Sequence, residues 1–442
     1  MMQSVSNIFS QCVSKAATSV FGGSFLLSAV RSGFKGNKTS VPVDFAPVLR
    51  FAVCSDIHLN GEESQEAAER FGQLFDDMYA YSASSVYNKL DAVVVAGDFS
   101  GGGAEKQYEM YNKITKEKLR DETQLLTAIG NHEFIDYRDV DATVGYTVYK
   151  KYISEALDTD VVINGYHFIG VAYDDNGKTF TGKVEWLKER LDNAVKENPQ
   201  MPIFVYQHPH PFLTVYGSVN WGDRDLRKVL NNYPQVVDFS GHSHYCPADP
   251  RSVWQGAFTA VGCGSLSAFM GNLNYIEGDK DAPGKSGGAW VVESDKNGNI
   301  LMRLYDIANR QFFDNVCYYF TDLVNKNKRA YNWQKQKSLD TAPVFRKGAE
   351  ITASVDENGD ALIFFPEANG FYEAENYKIT VRNSDKKAVF AKTVISDYVR
   401  STDNAVCVNA GKLPSGEYTV QVNSFSPYAK KGEKLIGKVR IG

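Results

Sequence analysis

The stretch VLRFAVCSDIH, residues 48–58, decides the fold class because an apolar run, interrupted only by Arg50, stops shortly before two polar side chains. Val48–Cys54 predicts a strand buried on both faces, as in parallel sheets that are covered by helices. Asp56 and His58 follow this run directly. A carboxylate and an imidazole two positions apart suit one transition-metal ion. The stretch therefore predicts an α/β sheet with a polar site at its edge.

Four further short motifs repeat this arrangement along the chain. Apolar runs precede Gly97-Asp98, Gly130-Asn131-His132-Glu133, His208 and Gly241-His242-Ser243-His244. Together with His58, these motifs hold five of the seven histidines. Neighbouring glycines allow the backbone to turn sharply and approach closely. Each motif alone is weak evidence, but together they predict a two-metal hydrolytic centre at the ends of strands.

Hydrophobic periodicity predicts the elements between the motifs. Helices are expected at residues 62–89, 184–195 and 225–230. A hairpin is expected over residues 161–173, turning at Asn164-Gly165. Further strands are expected at 91–96, 124–129, 202–206, 235–239, 253–261, 288–293 and 300–305. Strands that alternate with helices favour an α/β fold.

The composition changes at residues 326–347, which are polar and basic and predict a connection between domains. Short strand candidates follow, at 351–355, 361–365, 377–381, 388–394, 405–408 and 418–422. Their regular spacing predicts a small all-β sandwich, which resembles immunoglobulin and fibronectin type III modules in a general way. The expected divisions are a possibly helical tail at 1–44, a catalytic domain at 45–325, a linker at 326–347 and a C-terminal sandwich at 348–442.

Composition limits the classes of function. The net charge is -5 and no long basic run exists, so no clear nucleic-acid patch is predicted. The six cysteines are scattered and do not form a disulfide framework. Cys54 and Cys407 are expected to be buried thiols, and Cys246 is expected to be a packed thiol rather than a metal ligand.

The first forty residues are ambiguous. The apolar stretch from Thr18 to Val30 is too short to cross a membrane. It lacks a strongly basic start and a clean cleavage site, which makes it a poor signal peptide. A tail helix or surface arm is expected, with no transmembrane segment. The location of the protein stays open between the cytoplasm and export.

The order D-x-H, G-D, G-N-H-E, H, G-H-x-H, spread over residues 48–309, resembles the calcineurin-like metallophosphoesterase superfamily. The resemblance implies a four-layer β-sandwich flanked by helices. It also implies two divalent ions (Mn, Fe or Zn). One ion would be held by Asp56, His58, Asp98 and His244, and the other by Asp98, Asn131, His208 and His242.

The same resemblance implies a hydrolase of phosphoric esters that uses a metal-bound hydroxide as nucleophile. His132 would be the general acid that protonates the leaving oxygen, and its alternative role is a hydrogen bond to a neighbouring ligand. Monoesters and diesters, cyclic nucleotides included, are both possible substrates. A different class stays open as well: a catalytically silent binding or adhesion protein that uses the C-terminal sandwich, whose partner the sequence does not indicate.

Departures from related patterns narrow the prediction. Protein phosphatases of this superfamily carry G-D-x-x-D-R-G, whereas this chain has Gly97-Asp98-Phe-Ser-Gly-Gly-Gly103. The Asp that orients the acid histidine is therefore missing. Gly101 also occupies the position of the tyrosine ligand of purple acid phosphatases.

The other candidate residues receive secondary roles. Glu133 is expected to support the ligands rather than to bind metal. His167 is expected to be structural, and His210 is expected at the rim of the site. Tyr216, Trp221 and Tyr245 are expected either to line the mouth of a pocket or simply to pack.

Overall fold

The computed structural model describes residues 31–32, 37–38, 41–174, 177–267, 287–372, 374–396, 399–400 and 405–442. Residues 1–30, for which a tail helix or a surface arm is predicted, lie outside these ranges. Within them, no helix combines the length and the hydrophobicity that a bilayer-spanning segment requires.

A mixed seven-stranded sheet supplies the first half of the fold. Pro47–Cys54 pairs in parallel with Ala92–Ala96, which pairs in parallel with Gln124–Ala128. Pro47–Cys54 is buried over most of its length, as its apolar sequence predicts. The strand order is Asn37–Lys38, Gln311–Phe320, Ile300–Asp306, Gly288–Asp295, Pro47–Cys54, Ala92–Ala96, Gln124–Ala128.

A mixed six-stranded sheet supplies the second half, in the order Val253–Gln255, Thr259–Gly262, Val236–Ser240, Ile203–Tyr206, Tyr166–Gly170, Thr159–Ile163. The last two strands form the predicted hairpin, and Asn164 and Gly165 adopt the positive φ angles of its turn, 51° and 84°. The single strand predicted at 253–261 is wrong. The chain reverses after Gln255, and two short antiparallel strands result.

The two sheets pack face to face, and helices cover their outer faces. Phe51 of the first sheet meets the rings of Phe168, Phe204 and Phe239 of the second at centroid distances of 4.9, 4.7 and 5.9 Å. The α-helices of this part are Gln65–Ala83, Glu105–Lys118, Thr143–Tyr152, Val184–Glu197, Ser218–Trp221 and Arg224–Leu230. Short 3-10 helices lie at Gly61–Ser64, His132–Tyr137, Thr181–Lys183 and Pro250–Ser252. The predicted α/β layers are confirmed.

The C-terminal part consists of antiparallel β-sheets, as predicted. One sheet has the order Thr352–Val355, Ala361–Pro366, Ala405–Asn409, and the other has the order Ala388–Ile395, Asn376–Arg382, Gly416–Phe425, Lys431–Ile441. Ile363 and Phe365 of the first share a core with Tyr377 and Val420 of the second. The immunoglobulin-like or fibronectin-like identity of this part stays a prediction, as do the domain boundaries.

Three two-stranded pairs complete the list of described strands. Two are antiparallel, and the pair formed by His210–Pro211 and Gly222–Asp223 is parallel. The antiparallel pairs are Arg31–Ser32 with Val399–Arg400, and Val344–Phe345 with Ala368–Asn369.

The cysteines follow the prediction with one exception. Cys54 and Cys246 are buried, and Cys246 packs in the core between the two large sheets. Cys407, which was expected to be buried, is exposed. Alternate residues of a strand face opposite sides, and here Val408 takes the inward position.

The segment 326–347 is a packed connection rather than a bare linker. It contains the 3-10 helix Lys326–Lys328 and the α-helix Trp333–Leu339. The buried amide of Gln336 donates to the carbonyl of Pro250 at 2.9 Å and accepts from the hydroxyl of Tyr428 at 2.7 Å. One side chain thus joins the part with the two large sheets to the C-terminal sheets.

A buried arginine makes the second junction. The guanidinium of Arg251 pairs with Asp249 at 2.5 Å and with Glu375 of the C-terminal part, and it donates to the carbonyl of Pro427 at 2.7 Å. It also lies over the ring of Tyr216, 3.6 Å from the centroid. The charge of Arg251 is therefore satisfied from both sides of the junction.

Replacing Glu375 with alanine tests this junction. We expect the free energy of unfolding of the full chain to fall by about 1.5–3 kcal/mol, because Arg251 loses one charged hydrogen-bond partner but keeps Asp249. Denaturant unfolding followed by circular dichroism measures the change. Glu417→Ala, at an exposed position, is the control and should change the free energy by less than about 0.5 kcal/mol. Equal effects of the two substitutions would contradict the assignment.

Candidate metal centre

The predicted ligands lie at the carboxyl ends of strands from both sheets. Asp56, Asp98 and Asn131 follow three parallel neighbours of the seven-stranded sheet. The later ligands follow two parallel neighbours of the six-stranded sheet, Ile203–Tyr206 and Val236–Ser240. Parallel strands end at one edge of their sheet, so residues far apart in sequence meet there. The six predicted His and Asp ligands fall into groups whose ligand atoms all lie within 4.8 Å of one another.

One group consists of Asp56, His58 and His244. His244 Nε2 is 2.9 Å from Asp56 Oδ1 and 3.0 Å from His58 Nε2. His58 Nε2 is 3.7 Å from the same carboxylate oxygen. Three donor atoms thus point at one small volume.

A second group consists of Asp98, His208 and His242. His208 Nε2 is 2.9 Å from Asp98 Oδ2 and 3.1 Å from His242 Nδ1. It is also 3.9 Å from Asp56 Oδ1, which places the two groups side by side. A third group, formed by His58, Asp98 and His132, overlaps both.

Asn131 adds an amide oxygen. Its Oδ1 is buried and has no hydrogen-bond partner among the described residues. A buried polar atom without a partner carries a free-energy cost unless something satisfies it. Asn131 also lines the same cleft as His242. The converging imidazoles, carboxylates and this oxygen therefore fit a divalent metal ion of the Mn, Fe or Zn type.

The carboxylates of the centre are set to be ionised. Burial alone would raise the pKa of Asp56, but the charges of His244 and His208 lower it well below its usual value. Burial opposes ionisation of Asp98 too, yet His208, through its charge and its hydrogen bond, lowers that pKa to about 2. Ionised carboxylates are the form that binds metal.

The backbone is strained at the ligands. Five of them adopt left-handed φ angles although they are not glycine: Asp56 (54°), His58 (54°), Asp98 (53°), His242 (72°) and His244 (55°). Each such residue costs about 1–3 kcal/mol and persists only where the surroundings impose the conformation. The sequence gives no signal for this feature.

Glycines supply the room that the ligands occupy. A Cβ on Gly130 would lie 2.1 Å from Asp98 Oδ1, and a Cβ on Gly241 would lie 2.3 Å from Asp56 Oδ2. Gly97 has a φ of 83°, and a Cβ there would lie 2.7 Å from the side chain of His208. The clash that a Cβ would make therefore explains why glycine occupies these positions in the motifs.

Glu133 supports the centre through hydrogen bonds to the backbone of its loops. Its buried carboxylate accepts the backbone N–H groups of Asp98 at 3.1 Å, Ser100 at 2.9 Å and Gly130 at 2.6 Å. Burial raises its pKa to about 7. The contacts agree with the predicted supporting role, because one side chain holds the loops that carry Asp98 and Asn131.

His132 lies beside the ligands with its ring partly exposed. Its ring Nδ1 lies 2.8 Å from the carbonyl oxygen of Gly101, so that nitrogen carries the proton and donates. Its Nε2 is 3.9 Å from Asp98 Oδ2. Burial lowers the pKa of His132. The carbonyl of Gly101, a contact that the sequence did not indicate, thereby fixes the orientation of the imidazole. A Cβ at Gly101 would lie 1.5 Å from Asn60 Oδ1.

The two remaining histidines are structural. His167 pairs with Asp160 at 2.9 Å and with Glu197 at 3.1 Å, away from the centre. The rim position expected for His210 is wrong. Its buried ring lies 2.8 Å from the hydroxyl of Ser240 and 2.9 Å from that of Ser243. It braces the loop that carries His242 and His244.

Aromatic side chains flank the centre. The Trp221 ring lies 6.1 Å from that of His242 and 5.7 Å from that of Tyr245, which stacks on Tyr216 at 4.5 Å. Trp221 lines an open cleft of about 330 Å³ together with Asn131 and His242. Of the two readings predicted for the aromatics, pocket lining fits Trp221, and packing fits Tyr216 and Tyr245.

The family model of the calcineurin-like phosphoesterases matches residues 49–246. A purple acid phosphatase from yellow lupin (Lupinus luteus) aligns at 14% identity and a TM-score of 0.45, over 64% of this chain and 56% of that one. A 5'-nucleotidase precursor from Thermus thermophilus aligns at 12% identity and a TM-score of 0.34, over 89% of each chain. No curated protein matches the chain.

Replacing Gly97 with alanine tests the steric role of this glycine. We expect a loss of about 1–2 kcal/mol from the left-handed backbone and a further 1–3 kcal/mol from the contact with His208. Gly359→Ala is the matched control, because its φ is 81° and nothing lies within 4 Å of the added Cβ. Denaturant unfolding measures both variants, and equal losses would show that His208 does not need the space.

Proposed function

Residues 49–246 form a calcineurin-like phosphoesterase domain, and from this premise we propose that the chain hydrolyses phosphoric esters with two divalent ions. The two adjoining ligand groups that share one small volume carry the proposal. Asp56, His58, Asp98 and His244 would hold one ion, and Asp98, Asn131, His208 and His242 the other. When bound, such ions clamp a phosphate and activate the attacking water.

The chain's own residues would do the rest. Asp98 lies between the groups, since its Oδ2 is 2.9 Å from His208 and it also belongs to the group of His58. Its Oδ1 accepts the backbone N–H of His132 at 2.8 Å. This hydrogen bond joins the proposed bridging residue to the proposed acid. With Nδ1 donating to Gly101, Nε2 of the protonated imidazolium form of His132 is the nitrogen that would pass a proton to the leaving oxygen.

The supporting contacts hold this arrangement in place. Glu133 ties the loops of Asp98 and Asn131 together through the backbone N–H groups that it accepts. Ser265 Oγ donates to the carbonyl of Asp56 at 2.8 Å, and Ser55 Oγ donates to that of Ala96 at 2.8 Å. Ligands fixed in this way lose little freedom on binding metal or substrate.

Monoesters and diesters both fit this chemistry. Assays of Mn²⁺-loaded protein with 4-nitrophenyl phosphate and with bis(4-nitrophenyl) phosphate separate the two cases. Absence of turnover on both would favour the binding-protein alternative.

For the C-terminal part we propose an immunoglobulin-like or fibronectin-like sandwich over 348–442. Its two antiparallel sheets around one core support that reading.

Replacing Asp98 with asparagine tests the bridging role. We expect activity and metal content to fall together, because one carboxylate would serve both ions. Turnover of 4-nitrophenyl phosphate and elemental analysis of the same sample measure the two quantities. Asp385→Asn, at an exposed position remote from the site in sequence, is the control. Full turnover by the Asp98 variant would refute the role.

Replacing His132 with alanine tests the general acid. We expect metal content to be retained and turnover to fall by about 10²–10⁴-fold. The loss should be greater for phenyl phosphate than for 4-nitrophenyl phosphate, because the poorer leaving group needs the proton more. His167→Ala removes a histidine that is paired away from the centre, and it should leave both rates unchanged. A loss independent of the leaving group would contradict the role of His132.

A further inference from the structure

The cleft beside the metal centre carries two cations that the proposed chemistry does not use. Asn131 and His242 bound the cleft on the side of the centre, and Arg138 and Lys178 line it as well. Arg138 directly follows the 3-10 helix His132–Tyr137 that begins at the proposed acid. Lys178 comes from a separate loop, so two distant segments deliver positive charge to one cavity.

Neither cation is neutralised by the described part of the protein. Other basic side chains pair with carboxylates there, as Lys183 does with Asp158 at 2.6 Å, but no ion pair involves Arg138 or Lys178 within those residues. Asp223 lines the same cleft, yet its carboxylate accepts the N–H of Leu226 at 2.8 Å as a helix cap. The side chains of Arg138 and Lys178 are both exposed and can therefore reach a molecule bound in the cleft.

We infer that Arg138 and Lys178 bind a second anionic group of the substrate. The substrates would then be phosphoric esters whose non-reacting part carries another negative charge. This inference rests on the proposed function, because it takes the reacting phosphate to lie at the metal centre. From there the rest of the ester extends into the cleft, where guanidinium and ammonium groups offer charged hydrogen-bond donors.

An apolar side chain also lines the cleft and suits the uncharged portion of the substrate that joins its two anionic groups. Trp221 lines the cleft and is 39% exposed, so part of its ring is accessible to a bound molecule. Its packing against Tyr245, which is itself stacked on Tyr216, holds the ring in position. The cleft thus offers an apolar surface in the same cavity as the two cations.

Calorimetric titration of the full chain without divalent metal tests the anion site directly. Inorganic pyrophosphate should bind at least ten times more tightly than inorganic phosphate, since it presents more charge to the two cations. The double variant R138Q/K178Q should lose that preference. K196Q/R346Q removes one exposed lysine and one exposed arginine that have no ion pair in the described structure, and it should keep the preference.

Kinetics of the Mn²⁺-loaded protein give the second readout. For 4-carboxyphenyl phosphate, R138Q/K178Q should raise KM about tenfold and leave kcat unchanged, whereas the KM for phenyl phosphate should stay constant. Equal affinities for pyrophosphate and phosphate in the unmodified protein would overturn the inference, as would an equal loss of preference in K196Q/R346Q. If the protein hydrolyses no ester, the proposed function fails, and the pyrophosphate titration still decides whether the cations bind anions.

Discussion

The packing of the two large sheets against each other is the constraint on which the metal centre depends. Asp56 and Asp98 belong to one sheet, and the histidines 208, 242 and 244 belong to the other. The aromatic contacts of Phe51 with Phe204 and Phe239 set the separation of the sheets. The 2.9 Å distance between His208 and Asp98 therefore reports how the core packs as well as what the site can bind.

The centre is assembled against the preferences of its own backbone. Left-handed φ angles at five of the predicted ligands destabilise the loops. The ring nitrogens that converge there also stabilise one another little. Glycines 97, 130 and 241 relieve the steric part of the problem, since any side chain there would strike a ligand or its neighbour. Glu133 and the buried His210 supply the hydrogen bonds that hold the loops in this shape. Such backbone strain is expected at a functional site, where a bound metal ion would compensate for it.

The sequence predicted the elements whose signal is local. The buried strand before Asp56 and the Asn164-Gly165 hairpin required only periodicity and turn chemistry. The helix predicted at 62–89 ends at Ala83 instead, where the hydroxyls of Ser84 and Ser85 bond to the carbonyl of Tyr81 and compete with helical bonding.

Features that depend on the tertiary structure were not predictable in this way. His210 was predicted to be a rim residue because His208 was predicted to be the ligand, but its burial follows from Ser240 and Ser243 on another strand and loop. The contact of His132 with the carbonyl of Gly101 could not be predicted from residue type, because every residue has a backbone carbonyl. The helix Glu105–Lys118 and the strands Gln311–Phe320 and Lys431–Ile441 were not predicted at all.

The C-terminal sheets are connected to the cleft through a continuous series of contacts. Glu375 pairs with Arg251, whose guanidinium lies over Tyr216. Tyr216 stacks on Tyr245, and Tyr245 packs against Trp221 at the cleft. Through this series of contacts Glu375 of the C-terminal part reaches Trp221 on the wall of the cleft. A change in how the C-terminal sheets pack would therefore be transmitted to the aromatic side chains beside the candidate metal centre.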